Sequence, residues 1–412
     1  MDRTILHCDM NSFFASVELL SHPELKHVPM AVSGSPENRH GIILAKNELA
    51  KQYGIVTAET IWSAKKKCPD LKLVPPHHEQ YKRYSKLINE IYYRFTDMVE
   101  PFSIDESWLD VTASLKLFGS GKEIADTIRK TVKSELGLTL SAGVSYNKIF
   151  AKMGSEYKKP DATTVISREN YQAILWPQDV NQMFFVGTAT AEKLRKTGIR
   201  TIGELAQSDK SLLRALLGKH GDMLYDYANG LDDSPVSHCY EKQKIKSVGN
   251  GITFKRNLTT MNDIQTALMA LCSTVSARLR KYQMKATGVK VDIKDPYFKT
   301  ISRQKQLDAS TNITEEIYAA ALELIAVSWS IGNPIRLLTI TGINLVDENE
   351  QEQLSFFHER EEIRKKGESL DRAMDAIRSK FGGQSITFGG MINNDLGLDI
   401  HDNEESEESD SE

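Results

Sequence analysis

The order of strand and helix patterns in the first 166 residues constrains the fold of this chain more than any other feature. Residues 4–9 read as a short buried strand, because the run is largely apolar and ends at a carboxylate. The later patterns are a helix at 79–97, two hairpin strands at 99–104 and 107–111, a helix at 120–136, and strands at 138–146 and 163–166. This order is typical of a ferredoxin-like sheet with an insertion after its first strand. The sequence therefore predicts an α+β fold here.

The rest of the chain changes character several times. Residues 168–231 predict short helices separated by glycines, and the polar segment 232–244 predicts a linker. Residues 245–345 alternate between strand and long helix patterns, which predicts a second α+β domain. A polar extension at 346–394 contains a charged helix, and we expect the acidic segment 395–412 to be disordered. The protein is thus predicted to be multidomain.

Charge is unevenly placed along the 412 residues, which carry 52 basic and 56 acidic side chains. Residues 395–412 hold nine acids and no lysine or arginine, so the remainder has 52 basic against 47 acidic residues, a net charge of +5. Residues 241–345 hold 15 basic and 8 acidic residues, a net charge of +7. This distribution favours a polyanionic partner, although a solvated basic surface would give the same counts.

Several classes of protein are excluded by what the sequence does not contain. The four cysteines are scattered and form no Cys-x-x-Cys pair, which disfavours a zinc ribbon or a disulfide framework and fits a reducing cytosol. No apolar run approaches the roughly 18–20 residues that span a bilayer. The first residues lack the charge and hydropathy order of a secretory signal. The sequence therefore predicts neither a membrane protein nor a secreted one.

Three carboxylates are placed where a ferredoxin-like sheet would bring them together. Asp9 ends the first strand, and Asp105 and Glu106 form the centre of the hairpin. Neighbouring strands lie about 5 Å apart, so these groups would repel one another unless cations neutralise them. Two divalent metals about 3.5–4 Å apart are the usual apparatus of nucleotidyl transfer. The alternative is that Asp9 caps a helix and that the other two lie in a solvated turn.

Four segments together resemble the motifs of Y-family DNA polymerases, in the order found in that family. They are CDMNSFFASVE at 8–18, FSIDESWLD at 102–110, SAGVSYNKIFAK at 141–152 and KKPD at 158–161. The resemblance covers roughly residues 1–345 and is closest to the bacterial DNA polymerase IV branch. It implies a ferredoxin-like palm at 1–12 and 79–167, small fingers at 13–78, a helical helix-hairpin-helix thumb at 168–231 and an α+β little finger at 245–345.

The resemblance also implies the chemistry. Asp9, Asp105 and Glu106 would hold two Mg²⁺ ions, with the main-chain carbonyl of Met10 as a further ligand, and Glu106 would be catalytic. The implied reaction is template-directed transfer of dNTPs to a primer 3′-hydroxyl, at low fidelity, without proofreading and with bypass of damaged template bases. Two rival functions stay open: a catalytically inactive DNA-binding paralogue, and a nucleotide cyclase with a similar palm.

The start of the helix after the first strand is expected to bind the incoming nucleotide. Main-chain N–H groups of Ser12, Phe13 and Phe14 would face the triphosphate, and Ser12 would cap the helix. By resemblance, Phe14 is the steric gate that leaves no room for a 2′-hydroxyl. Lys159 and Lys51 match the lysine and arginine that bind the triphosphate in the family.

Near the predicted nucleotide site, three positions depart from the usual residues of the family. Lys51 stands where many relatives carry arginine, which keeps the charge but loses the bidentate fork. Glu48 stands where tyrosine is frequent and cannot donate to a phosphate, and Asn11 stands where aspartate is frequent. These departures concern the triphosphate contacts and leave the metal carboxylates intact.

DNA contacts are expected in two places. Residues 186–205 resemble a helix-hairpin-helix, in which the amides of Gly187 and Thr188 would approach a phosphate, although Phe185 replaces a usual hairpin glycine. The little finger would contact phosphates without reading sequence. Its candidate contacts are Lys246, Lys255, Arg256, Lys290, Lys294 and Arg303.

A short peptide after the little finger resembles the motif that binds bacterial sliding clamps. Gln353, Leu354, Phe356 and Phe357 would enter a groove on the clamp, or the two rings would pack on the helix that follows. The acidic tail would either act as a solubilising extension or compete with DNA for the basic domain. The expected partners are primer-template DNA, dNTPs and the clamp, for a monomeric protein in the bacterial cytosol.

Overall fold

The computed structural model describes residues 2–35, 41–241, 244–330, 332–349, 358–392 and 394–398, with the side chains of 358–361 left out. The chain forms two compact units. The first contains Met1–Ser33 and Ile43–Lys242, and the second contains Gly34–Ile42 and Gln243–Glu412. Both units have buried apolar cores of their own.

The first unit combines short strands with many helices. Its strands are β1 (Ile5–Met10), β2 (Met30–Ser33), β3 (Ile43–Lys46), β4 (Lys72–Val74), β5 (Val99–Pro101), β6 (Glu106–Asp110), β7 (Leu140–Ser145) and β8 (Thr163–Val165). Its helices are α1 (Phe13–Ser21), α2 (Glu48–Gln52), α3 (Ile61–Lys67), α4 (His78–Tyr93), α5 (Leu115–Phe118), α6 (Gly121–Leu136), α7 (Lys148–Tyr157), α8 (Tyr171–Leu175), α9 (Thr188–Lys196), α10 (Ile202–Ala206), α11 (Lys210–Leu217) and α12 (Lys219–Ala228).

A five-stranded sheet, ordered β5-β6-β1-β7-β8, forms the centre of the first unit. β1 pairs antiparallel with both β6 and β7, and β8 adds in parallel to β7. Leu6 and Cys8 of β1 face a core formed with α4 and α6, whereas Ile5 packs with Trp108 and Ala151 on the opposite face. All of β1 is buried, which explains why it reads as a continuous run and does not alternate. The predicted ferredoxin-like α+β palm is confirmed.

A small three-stranded sheet between α1 and α4 was not predicted from the sequence. It is ordered β3-β2-β4, and β2 pairs antiparallel with β3 and parallel with β4. Ile43, Ala50 and Ile55 belong to its small core. Its strands have 3 or 4 residues, which is too short for the period-2 pattern of a strand to be recognised.

Helices α8 to α12 share an apolar core with Ile149 and Phe150 of α7, and the polar stretch after them, which was predicted to be a linker, makes specific contacts. In that stretch Val236 is buried, the Ser237 N–H donates to the Glu100 carboxylate (2.9 Å) and the Cys239 N–H donates to the Asp97 carbonyl (2.9 Å). This stretch therefore packs on the first sheet between Val236 and Cys239. Main-chain hydrogen bonds of this kind leave no trace in apolar periodicity, so composition alone suggested a linker.

The second unit is an antiparallel sheet with helices on one face. Its elements are β9 (Ser247–Leu258), α13 (Met261–Lys281), β10 (Met284–Lys294), β11 (Thr300–Thr311), α14 (Thr314–Ser328), β12 (Ile335–Asp347) and α15 (His358–Phe381). The strand order is β11-β10-β12-β9, and α13 and α14 share the core below the sheet. This is the predicted second α+β domain. Among the helices that the structure describes, none has the length and apolar character needed to cross a membrane.

The chain after β12 extends this unit further than predicted. Arg280 of α13 holds α15 through ion pairs with Asp371 (3.0 Å) and Asp375 (2.6 Å). Leu396 and Leu398 are buried in the core of the unit. Residues 395–398 were predicted to lie in a disordered tail, and that prediction is wrong for these four positions, because two leucines among the acids bury apolar surface.

Candidate active site

The antiparallel pairing of β1 and β6 places two predicted metal ligands opposite each other. Asp9 is the cross-strand partner of Glu106, and the Met10 N–H donates to the main-chain oxygen of Asp105 (3.1 Å). Directly opposed residues share one face of a sheet. Asp105 lies in the turn before β6, where its carboxylate accepts a hydrogen bond from Ser103 Oγ (2.7 Å). Asp9 and Glu106 thus meet at one end of these strands, whereas the Asp105 carboxylate bonds to Ser103 in the turn beside them.

His7 belongs to the same group of side chains, although it was not selected from the sequence. It lies two residues before Asp9 on the same face of β1 and is fully buried. Its Nε2 is 3.1 Å from Glu106 Oε2, without hydrogen-bond geometry to any described residue, and its Nδ1 is 2.8 Å from Ser155 Oγ. Ligand atoms of His7, Asp9 and Glu106 all lie within 4.8 Å of one another. Two carboxylates and an imidazole could hold a divalent cation.

Helix α7 packs directly on the backbone of β7 because position 143 is a glycine. A Cβ atom at Gly143 would overlap the carbonyl oxygen of Ala151 and lie 2.5 Å from the main-chain nitrogen of Ser155. No side chain fits into such a contact. The close approach brings the lysines of α7 and of the following loop to the carboxylates.

Two lysines pair with these carboxylates. Lys159 Nζ lies 2.7 Å from Asp9 Oδ2 and 2.8 Å from Glu156 Oε1. Lys152 Nζ is hydrogen-bonded to the carboxylate of Glu106. Lys152 and Glu156 are four residues apart, which places both on one face of α7. Asp9 and Glu106 therefore each have a cationic partner of their own.

Burial and the lysines act in opposite directions on the charges of the site. Burial raises the pKa of Asp9 to about 7, although Lys159 opposes the shift. Burial also disfavours ionised Glu106, but His7 and Lys152 outweigh it and lower the pKa of Glu106 to about 2. Burial raises the pKa of Asp105 as well. A bound divalent cation would favour the ionised forms of Asp9 and Asp105.

Helix α1 begins at Phe13, immediately after β1, and the residue before it does not cap the helix as predicted. Ser12 has φ 51°, and its side chain makes no capping hydrogen bond, because a cap needs an extended backbone. Its Oγ donates to Glu48 Oε1 instead (3.1 Å). Phe13 is buried, and Phe14 stacks on Tyr81 of α4 with ring centroids 4.0 Å apart and planes 12° apart. Tyr81 therefore fixes the plane of the predicted steric gate.

The lysine predicted in the fingers, Lys51, is paired locally. Its Nζ lies 2.6 Å from Glu48 Oε1, the oxygen that also accepts from Ser12. The two side chains are 40% and 49% exposed, and an exposed pair of this kind contributes at most about 1 kcal/mol. A phosphate could therefore displace Glu48 at little cost. Glu48 competes for Lys51 and does not add a phosphate ligand.

The thumb hairpin carries an aromatic residue in a conformation that favours glycine. Thr188 begins α9, Gly187 is the N-cap residue before it, and Phe185 has φ 69°. A left-handed conformation costs a non-glycine residue about 1–2 kcal/mol. The ring of Phe185 is half exposed and lies 4.0 Å from that of Phe184. The departure seen in the sequence is thus a strained position in the structure.

Strand register divides the basic residues predicted in the second unit. Lys290 and Lys294 alternate with core residues of β10, so they lie on the face of the sheet away from α13 and α14. Arg303 is the cross-strand partner of Val291, which is buried in the core. Arg303 therefore belongs to the face of the sheet that α13 and α14 cover. These three candidate DNA contacts do not share one face.

The remaining candidates lie at or next to the edge strand β9. Arg256 is bound to Asp263 (2.8 and 3.0 Å) and to Asp395 (2.7 Å), so its guanidinium serves the fold. Lys255 is exposed, and its main-chain N–H donates to the oxygen of Leu396. Lys246 is exposed just before β9.

The predicted clamp-binding residues Gln353, Leu354, Phe356 and Phe357 lie outside the described residues.

Family models match most of the chain. The model of the impB/mucB/samB family matches residues 8–156, and the model of the C-terminal domain of that family matches 245–356. The thumb domain of DNA polymerase-iota matches 185–232. The chain therefore belongs to the impB/mucB/samB family of Y-family DNA polymerases, and its enzyme class is that of DNA-directed DNA polymerases.

Bacterial relatives give a narrower placement within that class. The chain is 45% identical to DNA polymerase IV of Acetivibrio thermocellus over 398 residues, which are 97% of this chain and 99% of the relative. It is 39% identical to DNA polymerase IV of Clostridium kluyveri, over 95% of this chain and 99% of the relative. The resemblance to the bacterial DNA polymerase IV branch is thus confirmed.

A solved structure has the same fold. It is a Y-family DNA polymerase chimera that matches with a TM-score of 0.74 at 23% identity, over 84% of this chain and 99% of the chimera. At this level of identity the match supports the architecture, which includes the palm, the thumb and the little finger.

Proposed function

We propose that this chain transfers dNTPs to the 3′-hydroxyl of a DNA primer under the direction of a template, by a two-metal mechanism. The observation that carries the proposal is the cross-strand pair of Asp9 and Glu106, with Lys152 and Lys159 placed against it. Groups of both signs, held in place before substrate binds, suit a reaction in which negative charge moves between phosphate oxygens.

The proposed metal ligands are Asp9, Asp105, Glu106 and the main-chain carbonyl of Met10. All four supply oxygen, the donor that Mg²⁺ prefers. Bound there, two Mg²⁺ ions would activate the primer hydroxyl and neutralise the pyrophosphate leaving group. Glu106, which the pKa of about 2 keeps ionised at neutral pH, is the proposed catalytic carboxylate.

The triphosphate would be bound by residues that are now paired with acids. Lys159 would exchange Asp9 for a triphosphate oxygen once metal neutralises Asp9, and Lys51 would leave the exposed Glu48. The first main-chain N–H groups of α1, at Ser12, Phe13 and Phe14, have no partner within a helix and carry the positive end of the helix dipole.

Phe14 is the proposed steric gate against ribonucleotides. Stacking on Tyr81 holds the Phe14 ring in one plane. The 2′-hydroxyl of a ribonucleotide would therefore clash with a ring that is not free to rotate. Phe14→Ala should raise the ratio of ribonucleotide to deoxyribonucleotide incorporation, measured with paired NTPs and dNTPs on one template. Tyr81→Leu should raise it less, and unchanged ratios in Phe14→Ala would exclude the role.

The proposal also includes the DNA contacts. Gly187 and Thr188 of the thumb, with Lys246, Lys255, Lys290 and Lys294 of the second unit, would bind phosphates. Fingers built from short strands and helices would enclose the nascent base pair loosely, which is the proposed basis of low fidelity and of bypass of damaged template bases.

The sliding clamp is the proposed protein partner, through Gln353, Leu354, Phe356 and Phe357. Changing the last three residues to alanine should abolish clamp-stimulated synthesis and leave synthesis without the clamp unchanged. Retained stimulation would exclude this peptide. We place the enzyme, as a monomer, in the bacterial cytosol, in line with the bacterial origin of its relatives.

The deciding experiment is primer extension with Mg²⁺ and each dNTP in turn, beside Asp105→Ala and Glu106→Ala variants. We expect incorporation of the complementary dNTP by the wild type and loss of incorporation by both variants, with primer-template binding retained. Incorporation by either variant would reject the assignment of that carboxylate. No incorporation by the wild type, with DNA binding intact, would favour an inactive DNA-binding paralogue.

A further inference from the structure

The loop that carries Lys159 is anchored two residues further on, at Asp161. The Asp161 N–H donates to Asn11 Oδ1 (2.8 Å). Arg129 Nη2 donates to the Asp161 carbonyl oxygen and to its Oδ1 (2.7 Å to Oδ1), and Lys133 Nζ donates to Oδ2 (3.0 Å). All four polar atoms of Asp161 therefore have a partner.

These partners belong to regular elements beside the carboxylate site. Asn11 directly follows β1, is buried, and donates through Nδ2 to Ser141 Oγ of β7 (2.9 Å). Arg129 lies on α6, where its Nη1 also donates to Asp126 Oδ1 (3.2 Å), and its side chain is 20% exposed. The loop is therefore fixed to the strands that carry the site and to a helix of the palm core.

Asp161 adopts a backbone conformation that needs such support. Its φ is 50°, in the left-handed region, which aspartate tolerates better than most residues but at a cost of about 1 kcal/mol. Strained residues persist where their surroundings hold them from several sides. Without Arg129, the main-chain carbonyl and one carboxylate oxygen of Asp161 would lose their partner, and the loop could relax.

We propose that Arg129 is a positioning residue for nucleotide binding: by holding Asp161, it keeps the ammonium of Lys159 at the carboxylate site, where Lys159 Nζ lies 2.7 Å from Asp9. This inference rests on the proposed function, in which Lys159 binds the triphosphate. Arg129 acts through the loop and not on the substrate. If the loop were loose, dNTP binding would have to order it, which weakens binding about 3- to 10-fold.

The test uses Arg129→Met, which removes the donors and keeps most of the apolar stem. Single-nucleotide incorporation should show a KM for dNTP that is about 3- to 10-fold higher, with kcat within about twofold, because ground-state binding is what changes. Arg129→Lys should be intermediate. Hydrogen–deuterium exchange of residues 158–163 should be faster in Arg129→Met without any nucleotide, which gives a readout independent of activity.

Lys130→Met is the matched control. Lys130 is the next residue on α6 and lines the same surface cavity of about 420 Å³ as Arg129, Lys133 and Asp161. Within the described part of the chain it donates no hydrogen bond to Asp161. The substitution removes one positive charge from the same helix, so it should leave both the KM and the exchange of 158–163 as in the wild type.

Asp161→Asn tests the other side of the contact. Asparagine tolerates the left-handed conformation and can keep the main-chain hydrogen bonds, but it lacks the charge that Arg129 and Lys133 bind. It should raise the KM as Arg129→Met does. The double variant should rise no further than the stronger single variant, because both changes break one interaction.

The outcomes separate this inference from the proposed function. If Lys159→Ala raises the KM and Arg129→Met behaves like Lys130→Met, the positioning role is rejected and the role of Lys159 stands. If Lys159→Ala leaves the KM unchanged, both statements fall. Should Arg129→Met fail to fold, Arg129→Lys and Asp161→Asn decide by the same criterion, and wild-type KM values in both would reject the role.

Discussion

The two large sheets of this molecule treat charge in different ways. In the first unit, Asp9 and Glu106 are largely buried, and each is paired with a lysine held by a helix or its loop. In the second unit, Lys290 and Lys294 stand on an open face, with Asp292 3.2 Å from Lys290. An unpaired charge is costly when it is buried, whereas an exposed charge is solvated by water and needs no protein partner.

This difference in charge pairing suits the first sheet to a small reactive centre and the second sheet to a long polyanion. A small reactive centre needs groups that already have their final positions, because reorganisation during the reaction would raise the barrier. A long polyanion displaces counterions from many weak contacts, so exposed cations on a smooth sheet suffice. If this contrast is correct, substitutions at the buried pairs should have larger effects than substitutions on the open face.

The largest effect is expected from Glu106→Gln, which keeps the shape of the side chain but removes its charge. Incorporation should fall by about 10³-fold, as measured by single-turnover kinetics with DNA binding unchanged. Glu156→Gln is the control, because Glu156 pairs with Lys159 but is not a proposed metal ligand, and its effect should be far smaller. Equal effects would mean that total charge matters at this site and the position of the carboxylate does not.

Gly143→Ala should destabilise the first unit by disturbing the contact between α7 and β7, on which the paired charges depend. The added Cβ would push α7 off β7, and we expect a loss of about 3 kcal/mol in the free energy of unfolding of the first unit. Gly187→Ala makes the same change where no atom lies within 4 Å of the new Cβ. Calorimetric unfolding should separate the two variants, and equal transition temperatures would show that α7 adapts.

Asp263→Asn tests whether the ion pairs of Arg256 stabilise the fold of the second unit. Asp263 lies in the first turn of α13 and forms a capping box with Thr260, and the Arg256 guanidinium holds the pKa of Asp263 well below the usual range. Loss of these charge-assisted bonds should cost about 2 kcal/mol in the unfolding of the second unit. Asp395→Asn, at the exposed side of Arg256, should cost much less.

The pH dependence of the Asp263 effect has a definite sign. A carboxyl group with a lowered folded-state pKa stabilises the fold above its unfolded-state value, near 4, and this contribution is lost as the pH falls towards the folded-state value. The penalty of Asp263→Asn should therefore be the same at pH 6 and pH 8. A penalty that changes between these two values would show that another group titrates with it.

The smallest effect is expected from Lys290→Met with Lys294→Met. DNA affinity should weaken severalfold at low salt, and the slope of log Kd against log salt should fall by about 2. Arg303→Met with Lys305→Met is the matched control, because it removes the same charge from the helix side, where Lys305 pairs with Glu323. If the two pairs have equal effects, net charge and not the open face determines DNA binding.

Long elements with strong periodicity were predictable, and short or irregular ones were not. The helix predicted at 120–136 is α6, Gly121–Leu136, because its apolar stripe and its Ser120 cap are both local signals. The small three-stranded sheet was missed because its strands are short. The packing of residues 236–239 and 395–398 depends on partners far along the chain, which no local pattern contains.

The candidate site shows the same division. Asp9, Asp105 and Glu106 could be selected because the sequence patterns indicate where the first strand ends and where the hairpin turns. His7 could have been found from its i, i+2 relation to Asp9 on a strand, and Tyr81 from its place on the apolar stripe of α4. Their contacts could not be predicted, because they depend on which face each neighbouring helix covers.

Local sequence patterns predict the order of elements and the placement of three carboxylates near strand ends, and four ordered motifs indicate the family. Which charges are paired depends on how the chain packs. Lys159 reaches Asp9, 150 residues away, because glycine at position 143 lets α7 lie against the sheet and because Arg129 holds Asp161. Strand and helix propensities act over a few residues, whereas charge pairing in a buried site depends on distances that only the packed chain defines.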